Sequence, residues 1–217
     1  MDTSAGGLEP LARSRKYVSN CYESSVFASM IGIVTAESAG RNMSRGESVR
    51  IERFESFMKD LLTNSGSQEI RSVQTFQETG YTDKPFGLRV EFANGAQVFT
   101  QFVRTSSPGG DDFSQPEEIV AGEPPSPAAS PTLKLENGRL RVRDFEQFLK
   151  ALVVNSGNPE IAKVQGFSER TEPAHHHRYG LSVEFHSGAH AFALFVYTLP
   201  AGTDHRSQSE FKVSETI

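Results

Sequence analysis

The side chains with chemical reach fall into two groups: a histidine cluster, and a set of polar residues that the chain carries twice. His175-His176-His177 is followed by His186 and His190. Imidazoles at such density suggest a transition-metal site. Their spacing opposes one. His175–His177 fall in a loop before a strand, and His186 falls at the turn beyond it. Six strand residues separate them by roughly 20 Å, whereas each ligand of a metal ion sits about 2 Å from it. A solvated loop is expected, and no metal. The residues carried twice are Lys59/Lys150, Glu69/Glu160, Gln74/Gln165, Glu78/Glu169 and Glu91/Glu184. Paired glutamates are the material of general acid–base catalysis or of a hard-cation site. No Asp accompanies them, and no Ser–His or Cys–His arrangement is repeated. Gln74 opposite Glu91, and Gln165 opposite Glu184, would pair across adjacent strands without any catalytic role. The glycines sit at turns rather than in a phosphate-binding loop. These residues imply no catalytic residue, no cofactor and no enzyme; a hydrolase built on Glu91 and Glu184 is the least favoured reading.

The polar pairs exist because a longer stretch recurs. Residues 54–76 match 145–167 at 13 of 23 positions, and residues 87–103 match 180–196 at 10 of 17. The offset is 91 in the first block and 93 in the second, so one loop is two residues longer in the second copy. A period this long is not that of a solenoid and points to two small domains.

Each copy opens with an amphipathic helix. Ile51, Phe54, Phe57, Met58, Leu61 and Leu62 recur at i, i+3, i+4 spacing, as do Val142, Phe145, Phe148, Leu149, Leu152 and Val153. Asn-Ser-Gly ends each helix at residues 64–66 and 155–157, since Gly takes a positive φ at no steric cost. A short turn and a strand to about Glu78 or Glu169 follow. Leu88, Val90 and Phe92 alternate with charged residues, Asn94-Gly95 signals a two-residue hairpin, and a third strand closes the unit. Ser187-Gly188 stands in for Asn94-Gly95 in the second copy. The expected fold class is α+β: two tandem α-β-β-β units, each a helix on one face of a three-stranded antiparallel sheet, docked as a pseudo-twofold pair. The α-β-β-β order resembles that of double-stranded-RNA-binding domains in topology alone. Those domains need a second, lysine-rich helix after the third strand, and here an acidic linker follows Arg104.

A two-residue hairpin assigns the faces. It puts Leu88, Val90, Phe92, Phe99 and Val103, with Leu181, Val183, Phe185, Phe192 and Val196, under the helix. Glu91, Val98, Thr100 and Phe102 then share the other face, with Glu184, Ala191, Ala193, Phe195 and Tyr197. That second face is half apolar, so Glu91, Phe102, Glu184, Phe195 and Tyr197 are the candidate interface residues. A unit of about 60 residues buries only about 60% of its chain surface, which makes docking of the copies, or of a partner, the expected source of stability.

The chain divides into an N-terminal arm (1–48), a first repeat (49–104), an acidic Pro-rich linker (105–133), a second repeat (134–198) and a polar tail (199–217). Val26–Val34 in the arm is apolar and fits a helix, a strand or an unpacked extension. The linker holds six prolines and no Lys or Arg, and is expected to be extended and mobile. The tail is expected to fray, with Phe211 and Val213 able to add an edge strand. Net charge is −5, which weighs against a protein whose work is gripping phosphates. One cysteine excludes an internal disulfide and a multi-cysteine zinc site. No apolar run reaches the roughly 18 residues of a membrane span, and no leader pattern opens the chain, so a cytoplasmic setting is expected.

The leading functional expectation is a non-enzymatic interaction or assembly module that binds itself or another protein. A virion or accessory phage component would suit the duplicated cassette. The alternative is a nucleic-acid binder presenting Arg50, Arg53, Arg141 and Arg143, although Glu52, Glu55, Asp144 and Glu146 stand beside them. The module reading predicts no retarded band in a gel shift with duplex DNA or RNA at either low or moderate salt. Phosphate binding through six or more contacts would instead show a band at about 50 mM salt that weakens about 10³-fold or more by 200 mM.

Overall fold

A computed structural model describes residues 50–106, 119–171 and 177–217. The arm with its Val26–Val34 stretch, residues 107–118 of the linker, and His175 and His176 lie outside the described residues.

The described chain is an α+β fold. In order it forms helix α1 (Ile51–Thr63), strand β1 (Ile70–Thr75), the short helix α2 (Phe76–Thr79), and strands β2 (Gly87–Phe92) and β3 (Gln97–Thr105). Then come helix α3 (Val142–Asn155), strand β4 (Ile161–Gly166), a 3-10 turn (Phe167–Glu169), and strands β5 (Gly180–Phe185) and β6 (His190–Leu199). The helical spacing is realised directly. Phe54, Met58 and Leu62 are the buried face of α1, and Val142, Phe145, Leu149 and Val153 lie in that of α3. Gly66 and Gly157, at φ 69° and 63°, turn the chain out of each helix.

β1 stops at Thr75, short of the expected Glu78. Thr75-Phe76-Gln77-Glu78 is a capping box: the Glu78 N–H donates to Thr75 Oγ1 at 3.2 Å, and the Thr75 N–H donates to Glu78 Oε2 at 2.7 Å. In the second half Gly166 stands where Thr75 does and lacks the hydroxyl. Glu169 still accepts from its N–H at 3.2 Å, and only a 3-10 turn forms.

All six strands join one antiparallel sheet in the order β1-β2-β3-β6-β5-β4. β3 and β6 are its long central pair, matched from Gln97↔Leu199 to Thr105↔His190. Both helices lie over one face, and they share a single core with the strand residues that point toward them.

The face assignment of the third strands is corrected. The hairpin loops hold three residues, not two: Phe92 donates to the Ala96 carbonyl and Phe185 to that of Ala189, with Gly95 and Gly188 at φ 82° and 79°. This is the turn in which the last loop residue takes a left-handed conformation. One added residue flips every side chain of the following strand. Val98, Thr100, Phe102, Ala191, Ala193 and Phe195 are therefore buried under the helices, while Phe99, Val103 and Phe192 lie on the opposite face. Phe102 packs on Phe54 with ring centroids 5.3 Å apart, and Phe195 stacks on Phe145 at 5.5 Å. A bulge at Val196, where Phe99 pairs with Tyr197 and Thr100 with Phe195, then turns Val196 and Tyr197 to the helix-free side.

The tail does not fray. Ile217 and Leu140 exchange backbone hydrogen bonds of 2.6 and 2.9 Å, and the Val142 N–H donates to Glu215 O at 2.9 Å. Phe211 adds no edge strand; its N–H donates to Val196 O at 2.8 Å as the tail crosses the sheet. The described part of the linker is likewise held. The Asn155 amide brackets Ala128, accepting from its N–H at 2.9 Å and donating to its carbonyl at 3.0 Å. Leu133 is buried in the main core.

Phe195 is 1% exposed and Val103 37% exposed. Urea titration should therefore show Phe195→Ala losing about 3–5 kcal/mol and Val103→Ala under about 0.5 kcal/mol. The two-residue hairpin would require the reverse ranking.

Candidate functional site

The groups that the fold treats most specifically are two glutamates on the helices, Glu55 and Glu146. Each occupies the same place in its half. Glu55 Oε1 on α1 accepts the Gly87 N–H at 2.7 Å. On α3, Glu146 Oε1 accepts the Gly180 N–H at 2.8 Å and the Phe167 N–H at 3.0 Å, while the Ser168 N–H is shared between its two oxygens at 3.2 Å. Both donor residues must be glycine for a separate reason: a Cβ on either would lie 2.3 Å from a carbonyl oxygen of the next strand. Burial pushes both carboxyls above the usual range, and the backbone N–H donors partly offset it. Glu146 is fully buried. Chemically each is a clamp: a helix side chain that takes up backbone donors at the start of a strand. The sequence reading passed over them. Both are identical between the copies, which is the signal the sequence offers, but along the chain they stand among charged residues and read as acids offsetting the arginines.

The repeated surface residues resolve into local pairs. Lys59 holds Glu78 at 2.6 Å and Lys150 holds Glu169 at 2.8 Å, tying each helix to the turn after the first strand of its half. Gln74 lies opposite Arg89, whose Nη2 donates to it, rather than opposite Glu91; Gln165 lies opposite Ser182. Glu91 pairs with Arg71 at 2.9 Å, and Glu184 lies opposite Lys163. Glu91 and Glu184 do not come together. Glu91 is level with Gln97, and Glu184 with His190 and hence Thr105. Eight residues of β3 at about 3.3 Å each separate those levels by about 26 Å, far beyond the 5–10 Å of a carboxylate pair acting on one bond.

The remaining candidates are scattered. His177 packs on Phe211 at 4.5 Å, His186 Nε2 lies 3.0 Å from Glu123 O, and His190 stacks on Phe192 at 6.2 Å. Among the described residues no three metal-ligating side chains gather. Arg53 forks onto Glu160 at 2.8 and 2.7 Å, and Arg141 meets Glu136 at 2.8 Å. Arg50 and Arg143 flank the starts of α1 and α3.

Two features mark the helix-free face. Val103 sits opposite Phe192, and Gln101 opposite Leu194, in the centre of the sheet. Val103 is exposed, and Phe192 and Leu194 are half-buried. Glu91 and Glu184 lie on this face toward opposite ends, since each sits between residues buried on the helix side. Beside the bulge is a second core of Phe76, Tyr81, Phe99, Val196, Tyr197 and Leu199, with Phe211 against it. Tyr197 is buried there, with the His205 ring 5.8 Å away.

No family model, curated protein or solved structure matches the chain.

The raised Glu146 carboxyl gives the folded state more bound protons than the unfolded chain above the ordinary value of 4.5. Stability should therefore fall as pH rises from about 4.5 to the raised folded value, then level off. Denaturant titrations across this window should show a shallower fall for Glu146→Gln, with Glu55 supplying the remainder. Glu146→Ala should cost about 3 kcal/mol or more, because three backbone donors lose their acceptor.

Proposed function

We propose that the protein is a non-enzymatic interaction or assembly module built from an internal duplication, its two α-β-β-β units docked as a pseudo-twofold pair. The observation that carries this reading is the strip of Val103, Phe192 and Leu194 on the helix-free face, where paired neighbours in the sheet keep apolar side chains at or near the surface. A sheet face that needs no partner alternates to polar residues. Glu91, Thr105 and Glu184 supply a polar rim, and Gln101 lies within the strip opposite Leu194. An apolar centre with a polar rim is the anatomy of a protein interface. The identical residues of the two copies supply the core and the helix clamps, and the scattered polar pairs serve the same packing. On this reading the repeated glutamates stabilise structure, and the virion or accessory phage setting remains compatible with a self-assembling cassette.

Sedimentation velocity over a wide concentration range tests the reading. The wild-type chain should show reversible association, and Val103→Ser with Phe192→Ser should remove it while keeping the circular dichroism spectrum of the folded chain. A monomer at every concentration, with the double variant indistinguishable from it, would sink self-assembly through this face.

A further inference from the structure

A cavity of about 200 Å³ opens where the start of α3 meets the 3-10 turn of the second half. Arg143, Arg170 and Arg178 line it, with the rings of Phe167, His177 and Tyr179, and the lining holds no Asp or Glu. Other cavities mix the two signs: Lys150 shares one with Glu169, and Arg53 shares one with Asp60. The chain as a whole has a net charge of −5, so three arginines on one cavity run against its average. Like charges drawn together repel. Arg178 pairs with Glu215, at exposed positions where solvent screens the bond. Arg143 and Arg170 have no carboxylate partner among the described residues. Asp144 follows Arg143 on α3 but does not line the cavity. Glu146 is taken up by the Phe167, Ser168 and Gly180 N–H groups. Arg170 instead lies over the Phe167 ring, 3.7 Å from its centroid, and Arg178 lies 5.4 Å from that of Tyr179. An aromatic ring positions a guanidinium without neutralising it.

The duplication supplies an internal comparison. The first-half counterparts of Arg143, Arg170 and Arg178 are Glu52, Thr79 and Pro85. The fold therefore requires a cation at none of the three places. All three acquire one in the same half, around the same cavity.

We infer that this cavity binds the phosphate monoester group of a small ligand, its oxygens held by Arg143, Arg170 and Arg178. The planar fork of a guanidinium matches the edge of a phosphoryl group, and arginine clusters are a recurring means of recognising one. A monoester carries about 1.5 to 2 negative charges at neutral pH. Two uncompensated guanidiniums suit that charge better than they suit a carboxylate monoanion. The volume is below the roughly 300–1,000 Å³ of drug-sized pockets, which limits the ligand to the phosphoryl group and a compact body. This inference stands apart from the assembly reading and uses none of its residues.

Phenyl phosphate is the probe, added to the full chain at low salt. Benzoate, a short phosphoserine peptide and a duplex DNA without terminal phosphates are parallel arms. The expected result is a saturable shift of the backbone amides of residues 167–170 and 178–180 in ¹⁵N-edited spectra, with benzoate weaker and the peptide no tighter than phenyl phosphate. The duplex, which offers only diesters, should leave these amides unmoved. Arg143→Glu and Arg170→Thr install the residues of the first half, where the same fold accommodates them. Each should weaken phenyl phosphate about tenfold or more, the loss of a hydrogen bond between charged groups, and either carries the test if the other does not fold. Arg71→Gln removes an exposed arginine that pairs with Glu91, and should leave the affinity unchanged. Absence of a saturable shift, benzoate or duplex binding as tight as phenyl phosphate, or unchanged affinity in the folded Arg143 and Arg170 variants would each overturn the assignment. A phosphoserine peptide binding more than tenfold tighter would overturn the small ligand in favour of a phosphorylated protein.

Discussion

The described fold leans on two phenylalanines that each reach across the centre of the sheet. Phe54 on α1 packs on Phe102 of its own half and on Phe185 of β5, at 5.3 and 6.1 Å, both edge to face. Phe145 on α3 packs on Phe195 of its own half and on Phe92 of β2, at 5.5 and 5.0 Å. Neither helix covers only the strands that follow it. Burying one such ring contributes about 1.5–3 kcal/mol, and aromatic pairing adds about 0.5–1.5 kcal/mol. A half of about 60 residues has little to spare without these contacts. The long β3–β6 pairing brings the two hairpins close enough for the rings to meet, and the rings in turn shield that pairing from water.

The halves agree most closely along β2 and β5 and differ on both faces of the third strands. On the helix side Leu88, Val90 and Phe92 recur as Leu181, Val183 and Phe185, because each must fit a shared core packed as densely as a crystal. On the opposite side Glu91 and Phe99 recur as Glu184 and Phe192, while Arg89 becomes Ser182, Gln97 becomes His190 and Gln101 becomes Leu194; under the helices Val98 becomes Ala191 and Thr100 becomes Ala193. The bulge at Val196 adds to the asymmetry, since β3 has none. It swings Tyr197 onto the helix-free side, where it joins Phe76, Tyr81 and Phe99.

How much of this was legible in the residues can be judged element by element. The helices were, because Phe54-Met58-Leu62 and Phe145-Leu149-Val153 carry their period openly. So were β2 and β5, whose alternation is strict. The third strands were misassigned by a single residue. Asn94-Gly95 is the signature of a two-residue turn, but a left-handed Gly closes the three-residue turn equally well, and the strand after it is apolar on both faces, so its pattern could not arbitrate. The tail was misread for a different reason. Its partners, Leu140 and Val196, lie far away in sequence, and a terminal Ile217 reads as a loose end until the backbone of Leu140 is seen to receive it. The two clamp carboxylates are hidden in the sequence for a similar reason. Glu55 and Glu146 sit beside charged residues along the chain, yet their partners are glycine N–H groups on a strand 32 and 34 residues away.

Those two carboxylates do something the phenylalanines cannot. Apolar packing is non-directional, so a helix on a sheet face can slide or rotate by small amounts at little cost. A carboxylate that must meet a particular N–H at under 3 Å tolerates no such slip. Gly87 and Gly180 are the first residues of β2 and β5, so each clamp fixes its helix against the point where the hairpin of its half begins. Burial disfavours the charged form and raises both pKa values. A purely apolar substitute would avoid that cost but would leave the strand's leading N–H without an acceptor. The retention of Glu in both copies fits a role in alignment: the rings supply the stability, and the glutamates set the register in which the rings meet.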